Sequence, residues 1–243
     1  MDWWIDQPPM GSLHNAVRAP NRTCRVCAAP VNNFRLCWRC REHRRIPGIA
    51  DIVAPLIYAV PETESAALLR NYKNCPLRAE RDRCAQVIRA LLWRAVSAHE
   101  RCFGVVAGIG VSRRAVIPSL TSRPGIHPLA SIAGQLGLVG EPLLVAAPNA
   151  RCDRAVVADK FTPPAPAEVS GRHVLVIDDV WTTGSNAQSA ALTLRRAGAA
   201  FVSVLVLGRW VDPRNTVSAQ LIRDHCQSGY DRAVCPVTGG RCP

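Results

Sequence analysis

The chain has 243 residues, 48% hydrophobic and 5% aromatic, enough for one α/β domain of ordinary size plus a small module. Its net charge of +12 comes almost wholly from arginine, Lys73 and Lys160 being the only lysines; this suits polyanionic ligands and excludes an acidic solvating chain. The longest apolar run, residues 199–208, is too short to cross a bilayer, and the acid-bearing first residues do not form a signal peptide, so a cytoplasmic protein is expected.

In that setting eleven cysteines point to metal ligation before disulfides. Residues 1–20, with Trp3, Trp4 and a Pro-Pro pair, read as a poorly structured arm. A module at 21–46 follows, where Cys24-x2-Cys27 and Cys37-x2-Cys40 stand nine residues apart. Two such knuckles can present four thiolates tetrahedrally to Zn²⁺, closing its shell and making the site structural; free buried thiols are the alternative. Arg35, Arg39, Arg41, Arg44 and Arg45 crowd this module, as a solvated basic face or as a nucleic-acid contact.

The α/β domain is expected over 47–212. Residues 52–60, apolar but interrupted by Pro55, predict an edge strand. Pro61-Glu62-Thr63 opens a helix to about Tyr72. Cys84, Val87, Ile88, Leu91, Leu92, Ala95 and Val96 then form one helical apolar stripe, with Cys75 and Cys102 flanking it as packing residues. Residues 115–117 predict a second buried strand. The polar loop after it offers Ser119, Thr121, Ser122, Arg123 and His127, the last of these read equally as an ordinary helix-start residue. Residues 143–147 predict a third strand. Residues 149–170, with Arg151, Arg154, Lys160 and three prolines, show no clear period. Residues 201–207 predict another buried strand, ending near Trp210, for which packing is favoured over ligand stacking. In the tail, 213–243, His225, Cys226, Cys235 and Cys242 offer a second metal site, although their spacing matches no standard knuckle.

The chemistry concentrates at 171–186, GRHVLVIDDVWTTGSN. The β-branched run 174–177 predicts a strand buried on both faces. It ends on Asp178 and Asp179, then passes through Thr182-Thr183-Gly184-Ser185 into a helix expected over 187–197. Backbone N–H groups at that helix start, supplemented by hydroxyls of Thr182, Thr183 and Ser185, suit a phosphate monoester. The two carboxylates would repel a polyphosphate unless they face hydroxyls or a metal ion, so a ribose 5-phosphate fits.

These residues resemble the phosphoribosyl-pyrophosphate (PRPP) signature of type I phosphoribosyltransferases, an apolar run followed by D-D-V-x-T-T-G-x-T. The chain departs from it at Asn186, where the family has Thr, and carries a bulky Trp181. With the four-cysteine module and the L-x-x-x-K segment ending at Lys73, the chain is similar to the competence-associated ComF family. In place of that family's R-G-F-N-Q element it has Arg123-Pro-Gly125-Ile-His127. The resemblance implies a twisted, mostly parallel sheet flanked by helices and transfer of a phosphoribosyl group from Mg²⁺-PRPP to a nitrogen nucleophile, nucleobase- or amine-like. It implies a PRPP site of Asp178, Asp179, Val180, Thr182, Thr183, Gly184, Ser185, Asn186, Ser119 and Arg123. It further implies a closing loop over 149–170, whose Arg154 and Lys160 neutralise departing pyrophosphate, and an association with DNA uptake or a DNA-processing partner. Oligomeric state is not legible.

Overall fold

The computed structural model describes residues 11–120 and 126–243. Trp3, Trp4, Thr121, Ser122 and Arg123 lie outside them.

Among the described residues six strands and six α-helices follow in chain order. They are α1 (Trp38–His43), β1 (Ile52–Ala59), α2 (Glu64–Asn74), α3 (Arg78–Ala107), β2 (Val111–Val116), α4 (Pro128–Gln135), β3 (Val145–Ala146), β4 (Phe161–Thr162), β5 (His173–Trp181), α5 (Ser185–Arg196), β6 (Phe201–Trp210) and α6 (Thr216–His225). Four strands make a parallel sheet in the order β1-β6-β5-β2. The β-branched runs of β5 and β6 occupy its centre and are buried on both faces. Pro55, which has no N–H to donate, sits on an edge strand, as its chemistry requires.

Alternation along the central strands sorts their side chains into two cores. Leu175, Ile177, Leu205 and Leu207 pack with α2, α3 and α4, including the whole stripe from Cys84 to Val96. Val174, Val176, Val202, Val204 and Val206 pack with α5, and Cys24, Cys27 and Cys40 belong to this same core. The cysteine module is therefore part of one layer of the sandwich.

Residues 115–117 lie at the end of β2, the other edge of the sheet, with Ala115 and Ile117 buried as expected and Val116 half-buried. Two expectations are corrected. Residues 143–147 contribute no strand to that sheet. Only Val145–Ala146 is extended, in a two-strand antiparallel pair with Phe161–Thr162 from the stretch read as irregular. Residues 11–20 are not a loose arm either. Leu13 and Ala16 are buried, and Ala16 N–H donates to the Leu56 carbonyl at 3.0 Å, covering the free edge of β1. The chain has no helix, among the described residues, long and apolar enough to cross a membrane.

Candidate functional site

The carboxyl end of β5 outruns its neighbour. β2 ends at Val116, opposite Ile177, while β5 continues through Asp178, Asp179, Val180 and Trp181 against β6. The two acids thus stand at the crevice where open α/β sheets bind ligands.

The acids have different surroundings. Asp179 is buried, and its Oδ2 accepts from the Tyr72 hydroxyl and from Lys73 Nζ, both in the last turns of α2. Burial opposes its ionisation, but the charge and hydrogen bond of Lys73, then the Tyr72 O–H, outweigh that and hold its pKa below the ordinary value. Among the described residues Asp178 forms no ion pair and feels Lys73 only at a distance. Its Oδ1 accepts from the Asp179 backbone N–H at 2.9 Å, and desolvation together with the Asp179 charge raises its pKa to about 8.

Gly208 explains how α2 reaches Asp179. It pairs with Val180 and Ile57 across the sheet, and a Cβ there would lie 2.2 Å from Leu69 Cδ1. Without a side chain at 208, α2 settles directly on the sheet, and one turn beyond Leu69 it delivers Tyr72 and Lys73. Tyr72 was not singled out as a site residue by sequence reasoning; the L-x-x-x-K segment was the available signal.

Beyond Asp179 the alternation breaks: Val180 packs with the α2–α3 core and Trp181 with the α5 core. The turn that follows is held from below. Arg209, buried on β6, donates through Nη1 to the carbonyls of Trp181 (2.8 Å), Thr182 (3.1 Å) and Trp210 (2.6 Å). Gly184 has φ +81° and serves as the N-cap of α5, which has no side-chain cap hydrogen bond. Ser185 N–H donates to Thr183 Oγ1 at 3.4 Å; the N–H groups that follow in the first turn are available to an anion. Thr182 is exposed; Thr183 is half-buried, its hydroxyl donating to Ser185 Oγ at 3.2 Å. Asn186 accepts from Lys160 Nζ at 3.4 Å. Lys160 is 1% exposed, donates to the Asp153 carbonyl at 2.7 Å and pairs with the Asp153 carboxylate at 3.1 Å. Its ammonium thus lies against the first turn of α5, whereas Arg154 is exposed. The segment carrying both is docked along α5, with Ser189 Oγ accepting from Val157 N–H and Thr193 Oγ1 donating to the Ala158 carbonyl.

Ser119 and His127 line a cavity of about 620 Å³ between the end of β2, α4 and the stretch 139–146. His127 caps α4, its Nδ1 accepting from Leu129 N–H at 3.2 Å. Trp210 is half-buried and packs against the α2–α3 core.

The cysteine module meets the stereochemistry of a metal site. The sulfurs of Cys24, Cys27, Cys37 and Cys40 all lie within 4.8 Å of one another, and this cluster can hold a metal ion. The Cys27–Cys37 separation is 3.7 Å, against about 3.8 Å for the edge of a tetrahedron with the Zn–S distance of about 2.3 Å. Cys37 also caps α1, accepting from Cys40 N–H at 3.5 Å. Hydrogen bonds from the Cys27, Cys37 and Cys40 thiols lower the Cys24 pKa, so the cluster already favours a thiolate. Four sulfurs leave no open position, which is consistent with structural zinc.

A second cluster, His99, Cys102, Cys235 and Cys242, meets the same distance criterion. The tail group expected from sequence is split: Cys235 and Cys242 join α3, and His225 and Cys226 are not part of the cluster. The chain matches no protein-family model, and no curated protein matches it.

Proposed function

We propose that this chain binds Mg²⁺-PRPP at the carboxyl end of β5 and transfers its phosphoribosyl group to a nitrogen nucleophile, releasing pyrophosphate. The observation that carries the reading is the direct succession of an acid pair, an αL glycine turn and a helix start without a side-chain cap. The 5′-phosphate takes the turn from Thr182 to Asn186, where the α5 N-terminus and the nearby Lys160 ammonium favour negative charge. Asp178 and Asp179 accept from the ribose hydroxyls and stabilise positive charge developing at the anomeric carbon. The bond from that carbon to the pyrophosphate oxygen breaks as the bond to nitrogen forms. Magnesium would be shared between the pyrophosphate oxygens and the site, as suits an ion that keeps several waters and few protein ligands. Support from Arg154 and Ser119 for the pyrophosphate belongs to the same reading.

Calorimetric titration of Mg²⁺-PRPP into the wild type, the Asp178→Asn/Asp179→Asn variant and Thr183→Ala tests this. Saturable binding is expected for the wild type, with none for the double variant and at least tenfold weaker binding for Thr183→Ala. Absence of binding to the folded wild type refutes the reading; binding followed by no pyrophosphate release with any nucleobase or amine reduces it to a PRPP sensor.

A second reading is supported by the surface of the cysteine module. Phe34 and Trp38 are 63% and 60% exposed, and Arg41 stacks 5.1 Å from the Trp38 ring. Arg35, Arg39, Arg44 and Arg45 are exposed around them. Aromatics interleaved with arginine suit single-stranded nucleic acid, with bases stacked and phosphates neutralised. By fluorescence anisotropy, Arg35→Glu/Arg39→Glu/Arg41→Glu should weaken binding of a labelled oligothymidylate more than tenfold and flatten its salt dependence. An unchanged affinity would count against this surface.

A further inference from the structure

We infer that His99, Cys102, Cys235 and Cys242 form a second tetrahedral metal site, selective for a thiophilic divalent ion such as zinc, which fastens the C-terminal tail to α3. His99 and Cys102 are three residues apart on one helix and so present side by side. His99 Nε2 donates to the Arg232 carbonyl at 3.1 Å, which makes Nδ1 the lone-pair nitrogen, and Nδ1 lies 3.4 Å from Cys242 Sγ. A second hydrogen bond fixing the tautomer and orientation is the usual arrangement for a ligating histidine.

Cys235 and Cys242 come from a tight turn. Cys235 N–H donates to the Gly240 carbonyl at 2.8 Å, and Gly239 N–H donates back to the Cys235 carbonyl at 2.7 Å. The Thr238 hydroxyl closes the end of the turn on the Arg241 carbonyl at 2.7 Å. His99, Cys102 and Cys235 are buried and Cys242 is exposed, as suits a site at the rim of the tail. A disulfide would use only two of the four converging atoms and leave the oriented histidine without a purpose; a tetrahedral ion uses all four. On binding, the three thiols release their protons to solvent and His99 coordinates as neutral imidazole.

The site also fits its wider surroundings. The tail past α6 buries few apolar side chains, Tyr230 and Val237 among them, and such a segment needs a staple. Arg18 bridges the two clusters. It donates to the Pro236 carbonyl beside Cys235, to the Arg25 carbonyl in the first cysteine module at 2.8 Å, and to the Val53 carbonyl of β1 at 2.6 Å. Burial disfavours its charge, and Cys27, Cys24 and Cys235 oppose that effect. Zinc held by four thiolates, or by three thiolates and an imidazole, keeps net negative charge, which the half-buried Arg18 guanidinium between the sites partly offsets.

Elemental analysis of the full chain, purified under reducing conditions, should give two zinc ions per molecule. Cys235→Ser/Cys242→Ser should retain one, as should Cys24→Ser/Cys27→Ser if the chain remains folded by circular dichroism. His99→Ala should lose the second ion, while His99→Cys should keep it, a rescue that a packing role for His99 does not predict. Cobalt loaded into the Cys24→Ser/Cys27→Ser variant should show the charge-transfer spectrum of a three-thiolate tetrahedral site. One zinc in the wild type, two zincs unaffected by Cys235→Ser/Cys242→Ser, or a disulfide among Cys102, Cys235 and Cys242 in unreduced peptide maps would each overturn the assignment.

Discussion

Gly184→Ala should abolish Mg²⁺-PRPP binding and destabilise the protein by about 2–5 kcal/mol. Two effects add. At φ +81° an alanine pays the left-handed penalty, roughly 1–2 kcal/mol. Its Cβ would also lie 2.1 Å, 2.2 Å and 2.7 Å from three atoms of the Trp181 ring. That ring is 1% exposed and belongs to the core containing the cysteine module, so it has nowhere to retreat; overpacking of this kind costs about 1–3 kcal/mol. The turn must therefore move, and with it the N–H groups proposed to hold the phosphate. Denaturant unfolding of a double-mutant cycle separates the two effects. In a Trp181→Leu background the alanine should cost only the conformational part, about 1–2 kcal/mol. An equal cost in both backgrounds would show that the ring does not constrain Gly184.

This coupling between turn and module shows why only part of the site was legible in the sequence. The 174–177 run, the acids after it and the glycine before a helix are local signals, and each keeps its meaning in the fold because strand, turn and helix are set by neighbours in sequence. The two C-x2-C pairs are local in the same sense. What supports them is not. Arg209, which carries the turn's carbonyls, looks like the end of an apolar strand, and Gly208 gains its role only when Leu69 is laid upon it. Trp181 reads as an oddity until it is found in the α5 core.

The misreadings have the same origin. Cys235 and Cys242 suggested partners among nearby tail residues, yet their neighbours are His99 and Cys102, which in sequence pass for an ordinary helix. Residues 143–147 carry a strand-like apolar run, but the sheet ends at β2, and the run packs as cover over the α5 core, with Leu143 and Leu144 buried there. Lys160, expected in a closing loop, is held against α5 by the Asp153 carboxylate, a pairing that no local pattern announces.

The acid pair gives the second large effect, and its sign follows from which carboxylate carries the proton. Lys73 and Tyr72 stabilise charge on Asp179, and that charge in turn helps keep Asp178 protonated up to about pH 8. The folded chain thus binds a proton that the unfolded chain releases near the ordinary aspartate value, so stability falls as pH rises from about 4 to about 8. Each unit of separation corresponds to about 1.4 kcal/mol, and because Asp178 is only half-buried, solvent trims the total to roughly 2–3 kcal/mol. Asp178→Asn keeps the oxygen that accepts from Asp179 N–H and removes the titration. It should match the wild type below about pH 4 and exceed it by roughly 2–3 kcal/mol at pH 9, measured by urea unfolding. Identical pH profiles would refute the shifted carboxyl. Lys73→Met should act oppositely, leaving Asp179 buried without its cation at a cost of about 3–5 kcal/mol, largely recovered by adding Asp179→Asn. In the proposed complex an ionised Asp178 accepts from a ribose hydroxyl more strongly than a protonated one, so binding of Mg²⁺-PRPP should favour loss of its proton. Calorimetry at pH 5 in buffers of different ionisation enthalpy should register about one more proton released per ligand bound by the wild type than by Asp178→Asn. The acid that destabilises the folded chain as pH rises is then the one proposed to meet the ribose, and the variant that relieves this conflict is expected to be the more stable and the less active one.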